Sequence, residues 1–399
     1  MEKRMNVSYA CIQATYWMVY AVVGSFASVF LLARGYTNSE IGVILAVANV
    51  VAVILQPMVA DFADRSKKIS LVGLIQLMAI IMLVFMVGLF VFERKSIALS
   101  VIFLMLLAWH TSLQPLINSL NFQLQESGVK INFGVGRSMG SLAYSILCAV
   151  MGTLVETFSV DIMPLSGCVV IAMLLVSLLV TKKQYDQVKG SASGEAVHLK
   201  AKEETEDINL IDFLKRNKIF LLVNIGVLGI FFSNQVLNNY MIQIVSNVGG
   251  DSEDMGRILS IMAFLEIPMM VCVGWLRKKF SCEFMLKVAS IGFTLKIFFH
   301  YIATNVAMIY FAQIFQLISF GIFLPVMVIF IDEVMSKGEA VKGQAFFTMM
   351  TTVASIIGSL IGGVILDISG AKMLTLIATV FTAVGTLIVI ATVDKVKKV

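Results

Sequence analysis

Stretches of about twenty apolar residues recur along the whole length of this chain, and no other feature limits its fold as tightly. A helix of that length crosses the roughly 30 Å hydrocarbon core of a bilayer. Twelve such runs fall at about 9–32, 39–60, 71–92, 97–119, 134–156, 161–181, 218–243, 255–276, 283–303, 306–332, 342–366 and 371–392. A transmembrane barrel would need strands of about ten residues with alternating polarity, and that alternation is absent. Charge supports the reading. Only 14% of the 399 residues are charged and the mean hydropathy is +0.92, whereas a soluble domain carries about 25%. Lipid is the natural solvent for the rest.

The expected class is therefore an all-α polytopic membrane protein with twelve transmembrane helices. The opening MEKRMNV precedes a run too long for a signal-peptide core, so it reads as an uncleaved first span. Cys11, Cys148, Cys168, Cys272 and Cys282 show no CxxC and no metal-ligand spacing, which argues against a disulfide framework or a bound metal. Lys3, Arg4, Arg65, Lys67, Lys68, Lys130, the cluster from Lys182 to Lys218, Arg277, Lys278, Lys279, Lys337, Lys342, Lys395, Lys397 and Lys398 collect on one side. Arg34, Arg94, Lys95, Arg257 and Lys372 fall on the other. The positive-inside rule puts the first group, and both termini, in the cytoplasm of a cell membrane. The net charge of +5 is then a topology signal. Nucleic-acid binding would need a concentrated basic face with interleaved aromatics, and none is present.

One long polar stretch, residues 182–217, reads as a cytoplasmic linker. It separates an N-terminal bundle, 1–181, from a C-terminal bundle, 218–399. Its end, INLIDFLKR, suits a short surface helix as well as it suits an irregular tether. The halves resemble each other. SEIGVILAVANV from Ser39 matches EDMGRILSIMAF from Glu253, and both spans contain a proline, Pro57 and Pro268, before a basic loop. Spans 5 and 11 both carry GxxxG, Gly136 with Gly140 and Gly358 with Gly362. Small residues at that spacing let membrane helices approach closely. Two six-span repeats, here two pseudo-symmetric six-helix bundles, are a secondary-transporter architecture with a site at the repeat interface near midplane.

Inside span 8 the chain reads AFLEIPMMVCVGW, with Glu266 deep in the apolar run. An ionised group at such depth costs roughly 2.5–3.5 kcal/mol on insertion scales. At 1.5 Å per residue Glu266 lies roughly 16 Å down its span and Lys296 roughly 20 Å up the next. His300 follows Lys296 by one turn and shares its face. The functional reading is a proton-coupling cluster of Glu266, Lys296 and His300; the alternative is a permanent ion pair pinning two helices.

The loop VADFADRSKKIS, with Asp64 and Arg65, resembles the loop signature of the major facilitator superfamily, although Ala60 and Lys67 replace its glycines. FGVGRSMGSLAY (133–144), FLEIP, and GQAFF followed by GSLIGGVILD resemble the branch of lactose permease, oligosaccharide–proton symporters and phenylpropionate permeases. The resemblance covers nearly the whole chain. It implies two six-helix bundles rocking about a central cavity, with an acidic residue of span 8 and a basic one of span 9 lining it. It also implies that Arg137 contacts substrate, and that Tyr144 stands where the sugar permease stacks a tryptophan on its substrate. Two departures stand out: Ser119 occupies the place of an acidic residue in span 4, and span 10 lacks the membrane-embedded His and Glu.

Further substrate-binding candidates are Trp109 and Gln114 in span 4 and Asn234 and Asn238 in span 7, the latter in a stripe with Tyr240. Gln13, Tyr16, Gln313 and Gln316 are weaker ones. Amides between helices can equally be structural. No phosphate-binding loop, GxSxG or HExxH is present, so neither an enzyme nor a cofactor is expected. The expected function is transport of a small organic solute, a sugar or small organic acid, by alternating access with a proton. The chain would work as a monomer in lipid, with no nucleic-acid partner. The alternatives are a drug–proton antiporter, which 24 Met and 28 Phe permit, and a solute-sensing receptor.

Overall fold

A run of apolar side chains solves only half of the problem of crossing lipid. The backbone must also satisfy its own N–H and C=O groups, and a helix does so locally. A computed structural model describes residues 2–65, 69–126, 131–191, 213 and 216–396. Among them every regular element is helical.

Span 1 runs Glu2–Tyr20, widens into a π-turn at Ala21–Ser25 and resumes at Ala27–Ala33. Spans 2 to 6 are Asn38–Arg65, Leu71–Gly88, Ile97–Glu126, Phe133–Phe158 and Ile162–Ser191. Spans 7 to 9 are Lys218–Ser246, Ser252–Leu276 and Cys282–Ile302. Span 10 comprises a helix at Val306–Ala312, a 3-10 turn at Gln313–Gln316 and a helix at Phe320–Val334. Spans 11 and 12 form one run, Lys337–Thr392, divided where Gly370 adopts φ 77°. Among the described residues nine helices are long and apolar enough to cross a membrane, ten with the bent first span. Dividing the last at Gly370 and adding span 9 gives the twelve expected.

Helix starts are set by side-chain caps that accept a backbone N–H the helix leaves unpaired. Ser70, Asn132, Asp251, Ser281 and Asn305 cap spans 3, 5, 8, 9 and 10. The helix of span 6 continues past residue 181, where the polar linker was expected to begin, as far as Ser191. The segment TKKQYDQVK contains good helix formers and no glycine or proline, so polarity alone does not end the helix. Residues 192–212, 214 and 215 of the expected linker lie outside the described residues. Phe213 is fully buried in the second half's core.

The chain divides into two compact units, Met1–Leu199 and Lys200–Val399. In the first, span 1 packs on spans 5 and 6, span 2 on span 4, and span 3 on spans 4 and 6. In the second, span 7 packs on spans 11 and 12, span 8 on span 10, and span 9 on spans 10 and 12. The two pairing schemes are the same, six positions apart. The paired glycines sit where this scheme needs them. A Cβ on Gly136 would enter the Tyr9 ring, and one on Gly140 would meet Trp17 and the Gln13 backbone of span 1. Gly358 abuts Gln235 and the Phe232 carbonyl, and Gly362 abuts the Tyr240 ring of span 7. Prolines recur too: Pro57 and Pro268 in spans 2 and 8, Pro115 and Pro325 in spans 4 and 10.

Candidate functional site

Each unit holds membrane-embedded polar side chains that converge from several spans. In the second unit the group is built on spans 8, 9 and 10. Lys296 is 1% exposed and His300 3%, so neither reaches water from its own unit's surface. The Lys296 ammonium donates to Gln316 Oε1 at 2.5 Å. The same amide donates through Nε2 to Glu266 Oε1, also at 2.5 Å. Gln316 thus joins carboxylate and ammonium, donating to one and accepting from the other. His300 Nδ1 lies 2.8 Å from the Lys296 carbonyl oxygen, and its Nε2 lies 3.1 Å from Gln313 Nε2. Gln313 also donates to the Ile309 carbonyl at 2.9 Å.

The backbone explains this convergence. In a 3-10 turn side chains three apart eclipse, so Gln313 and Gln316 point the same way. On the facing α-helix, Lys296 and His300 are four apart and also share a face. Two amides therefore meet two basic side chains, one to one. The approach is close because Gly292 of span 9 carries no side chain: a Cβ there would press on Ile318 and Ser319. Lys296, His300 and Glu266 were legible as intramembrane polar residues. Gln313 and Gln316 ranked as weak candidates, yet they hold the group together. Their spacing of three inside an apolar run is the signal that could have raised them.

Span 7 differs from expectation. Tyr240 lines no stripe with Asn234 and Asn238: its hydroxyl donates to the Ser359 carbonyl of span 11 at 2.5 Å. Its backbone leaves helical geometry, with φ −123° and ψ 24°. Gln235 donates to Asn239 and Asn239 to Ser359, each at 2.8 Å. These groups tie spans 7 and 11 together. Asn234 is buried and Asn238 half-buried on the same helix.

In the first unit the group is aromatic. The Arg137 guanidinium lies 4.1 Å from the centre of the Trp17 ring and donates to Ser141 at 3.1 Å. Tyr144 stacks on Tyr20 at 6.1 Å and shares a 2.7 Å hydrogen bond with Ser25 in the π-turn. His110 stacks on Tyr16 at 4.3 Å, with its Nε2 3.1 Å from the Tyr16 carbonyl oxygen. Tyr16 returns a 3.4 Å bond to the His110 carbonyl. Gln13 donates to Tyr9 at 2.8 Å and to Asn118 at 3.3 Å. Trp109 and Gln114 are half-buried on span 4, and the buried Trp109 Nε1 donates to no described group. Ser119 is exposed and donates to the Pro115 carbonyl at 2.9 Å. Arg137 and Tyr144 thus sit in one aromatic group with span 1, through Trp17, Tyr20 and Ser25, which sequence reasoning missed.

In the loop motif, exposed Arg65 pairs with Asp61 at 2.7 Å; the Asp64 side chain lies outside the described residues. In the second unit Arg277, at the end of span 8, pairs across to Glu333 of span 10.

Twelve spans in two like-paired halves, each with polar side chains embedded among apolar helices, define a transporter of the major facilitator type. The chain belongs to the MFS_1 like family, whose model matches residues 9–377. No functionally curated protein matches it by sequence. A solved structure of the nucleoside transporter NupG is similar, with a TM-score of 0.77 at 13% identity over 98% of this chain and 98% of that one. An auto-inhibited POT family peptide transporter gives 0.74 at 10% identity, covering 99% and 98%. A bacterial homologue of the human lysosomal transporter Spinster gives 0.69 at 13%, covering 99% and 97%. At such identities the likeness is one of fold. The protein is a multi-pass membrane transporter, not an enzyme.

Proposed function

We propose that the protein carries a small organic solute, a sugar or small organic acid, across the cell membrane by alternating access, coupled to a proton. The observation that carries this reading is the chain from half-buried Glu266 through buried Gln316 to buried Lys296. A carboxylate joined through an amide to an ammonium has two stable charge states. With Glu266 ionised, carboxylate and ammonium balance. With Glu266 protonated, Lys296 retains a charge that an anionic or hydroxyl-rich solute would satisfy. Proton and solute binding are then linked through one group.

Arg137, with Trp17, Tyr20 and Tyr144 beside it, is the proposed solute contact of the first unit. A guanidinium offers two parallel donors to a carboxylate or a sugar diol, and aromatic faces pack on a ring. Trp109, Gln114, Asn234 and Asn238 are proposed to complete specificity. Asp64 and Arg65 are proposed to act in the conformational change, and both termini to face the cytoplasm.

The test is uptake of labelled sugars, nucleosides and aromatic acids into vesicles carrying an inward proton gradient. Accumulation of a solute that a protonophore collapses is the expected result. Equilibration without accumulation would leave a uniporter. Extrusion of hydrophobic dyes with uptake of none of these solutes would make it a drug–proton antiporter.

A further inference from the structure

On the surface of the first unit, spans 1 and 6 leave a groove of about 590 Å³ between them, lined by Lys3, Arg4, Val7, Cys11, Val176 and Val180 with Ser8, Ser177 and Gln184. The two helices run antiparallel, so the lining is ordered along the groove. On span 1 the lining runs from Lys3 and Arg4 to Cys11; on span 6 it runs from Gln184, which is bonded to Ser8, to Val176. The ends are separated by eight residues on either helix, about 12 Å. The groove is therefore cationic at its mouth and apolar beyond. Val7, Val176 and Val180 are all strongly exposed, at 56%, 59% and 45%. Its floor is fixed where Ser8 Oγ donates to Gln184 Oε1 at 3.0 Å. The described lining carries two cations, Lys3 and Arg4, and no carboxylate.

We propose that this groove binds one anionic glycerophospholipid, its phosphodiester between Lys3 and Arg4 and an acyl chain along Val7, Val180 and Val176. The polarity gradient selects an amphiphile, and the sign of the mouth selects an anionic one. Basic pockets between spans at the cytoplasmic surface take acidic headgroups for this reason. The long stems of Lys3 and Arg4 lie on the apolar wall while their charges reach the headgroup level. None of the residues proposed to handle solute or proton lies in the groove, so the site stands apart from the transport reading.

The test is native mass spectrometry of the full chain, titrated with phosphatidylglycerol or with phosphatidylcholine of the same acyl chains. The wild type is expected to bind one phosphatidylglycerol in preference to phosphatidylcholine. The double variant Lys3→Gln/Arg4→Gln should lose that preference by roughly thirty-fold. Val180→Trp, which keeps both charges and obstructs the acyl path midway along the groove, should lose it as well. Lys182→Gln/Lys183→Gln, whose side chains do not line the groove, should keep it. Equal binding of the two lipids by the wild type, or a preference that survives both the mouth and the Val180 variants, would overturn the proposal.

Discussion

Gln316 holds the most demanding position in the second unit. It cannot titrate, yet it satisfies both a buried ammonium and a carboxylate. Replacing it with leucine of similar volume leaves both groups short of a partner. Gln316→Leu should therefore destabilise the protein by about 1–3 kcal/mol, read as thermal unfolding in detergent. Adding Lys296→Met should restore part of that loss, because the ammonium left unsatisfied is gone; the double-mutant cycle reads the coupling directly. Additive losses would mean that the two side chains act independently. Arg137 poses the complementary question. Arg137→Lys keeps the charge but removes the planar face resting on Trp17 and the paired donors. Solute affinity should fall about five- to thirty-fold, as expected for the loss of about 1–2 kcal/mol of stacking and fork geometry. Unchanged affinity would remove Arg137 from the solute contact. Glu266, Lys296 and Arg137 were legible because an ionisable residue in an apolar run is costly and so conspicuous. Trp17, Tyr20 and Ser25 were not, because an aromatic or a serine in a membrane helix is ordinary.

Helices meet closely only where side chains allow it. Gly140 of span 5 faces Trp17 and the Gln13 backbone, whereas a Cβ on Gly134, six residues earlier, would contact only its own Asn132 cap. Gly140→Leu should overpack the contact with span 1 and cost about 1–3 kcal/mol; Gly134→Leu should be near neutral. Chromatographic recovery and unfolding temperature of the two variants check this, and equal behaviour would refute the close approach. The repeated GxxxG was readable from spacing alone. The breaks in spans 1, 7 and 10 were not. Ala21–Ser25, Tyr240 and Gln313–Gln316 lie in runs with ordinary helical composition. Their geometry follows from tertiary bonds, such as Tyr144 to Ser25 and Tyr240 to the Ser359 carbonyl, that no local propensity encodes. The helix extending to Ser191 shows the converse: a polar segment read as linker is helical because its residues are good helix formers.

At the scale of the molecule, charge distribution predicts orientation. Of the five cations assigned outside, Arg34, Lys95 and Arg257 pair with Asp161, Glu40 and Glu253. Single cysteines introduced into a cysteine-free background test the assignment. Thr304→Cys, in the loop between spans 9 and 10, should label from outside; Lys279→Cys, between spans 8 and 9, only after permeabilisation. The reverse pattern would invert the topology. Twelve spans and two like halves were legible because bilayer thickness imposes a length on every apolar run. Substrate identity was not, since it depends on a few side chains placed by those tertiary breaks.

Coupling of a proton to solute movement is proposed to run through Glu266. Its most direct test is solute-induced proton movement in vesicles, comparing the wild type with Glu266→Gln. A solute-dependent proton flux in the wild type that the substitution abolishes, while solute counterflow persists, is the expected result. Equal proton flux in both proteins would contradict it and leave Glu266 as a tie between spans 8 and 10.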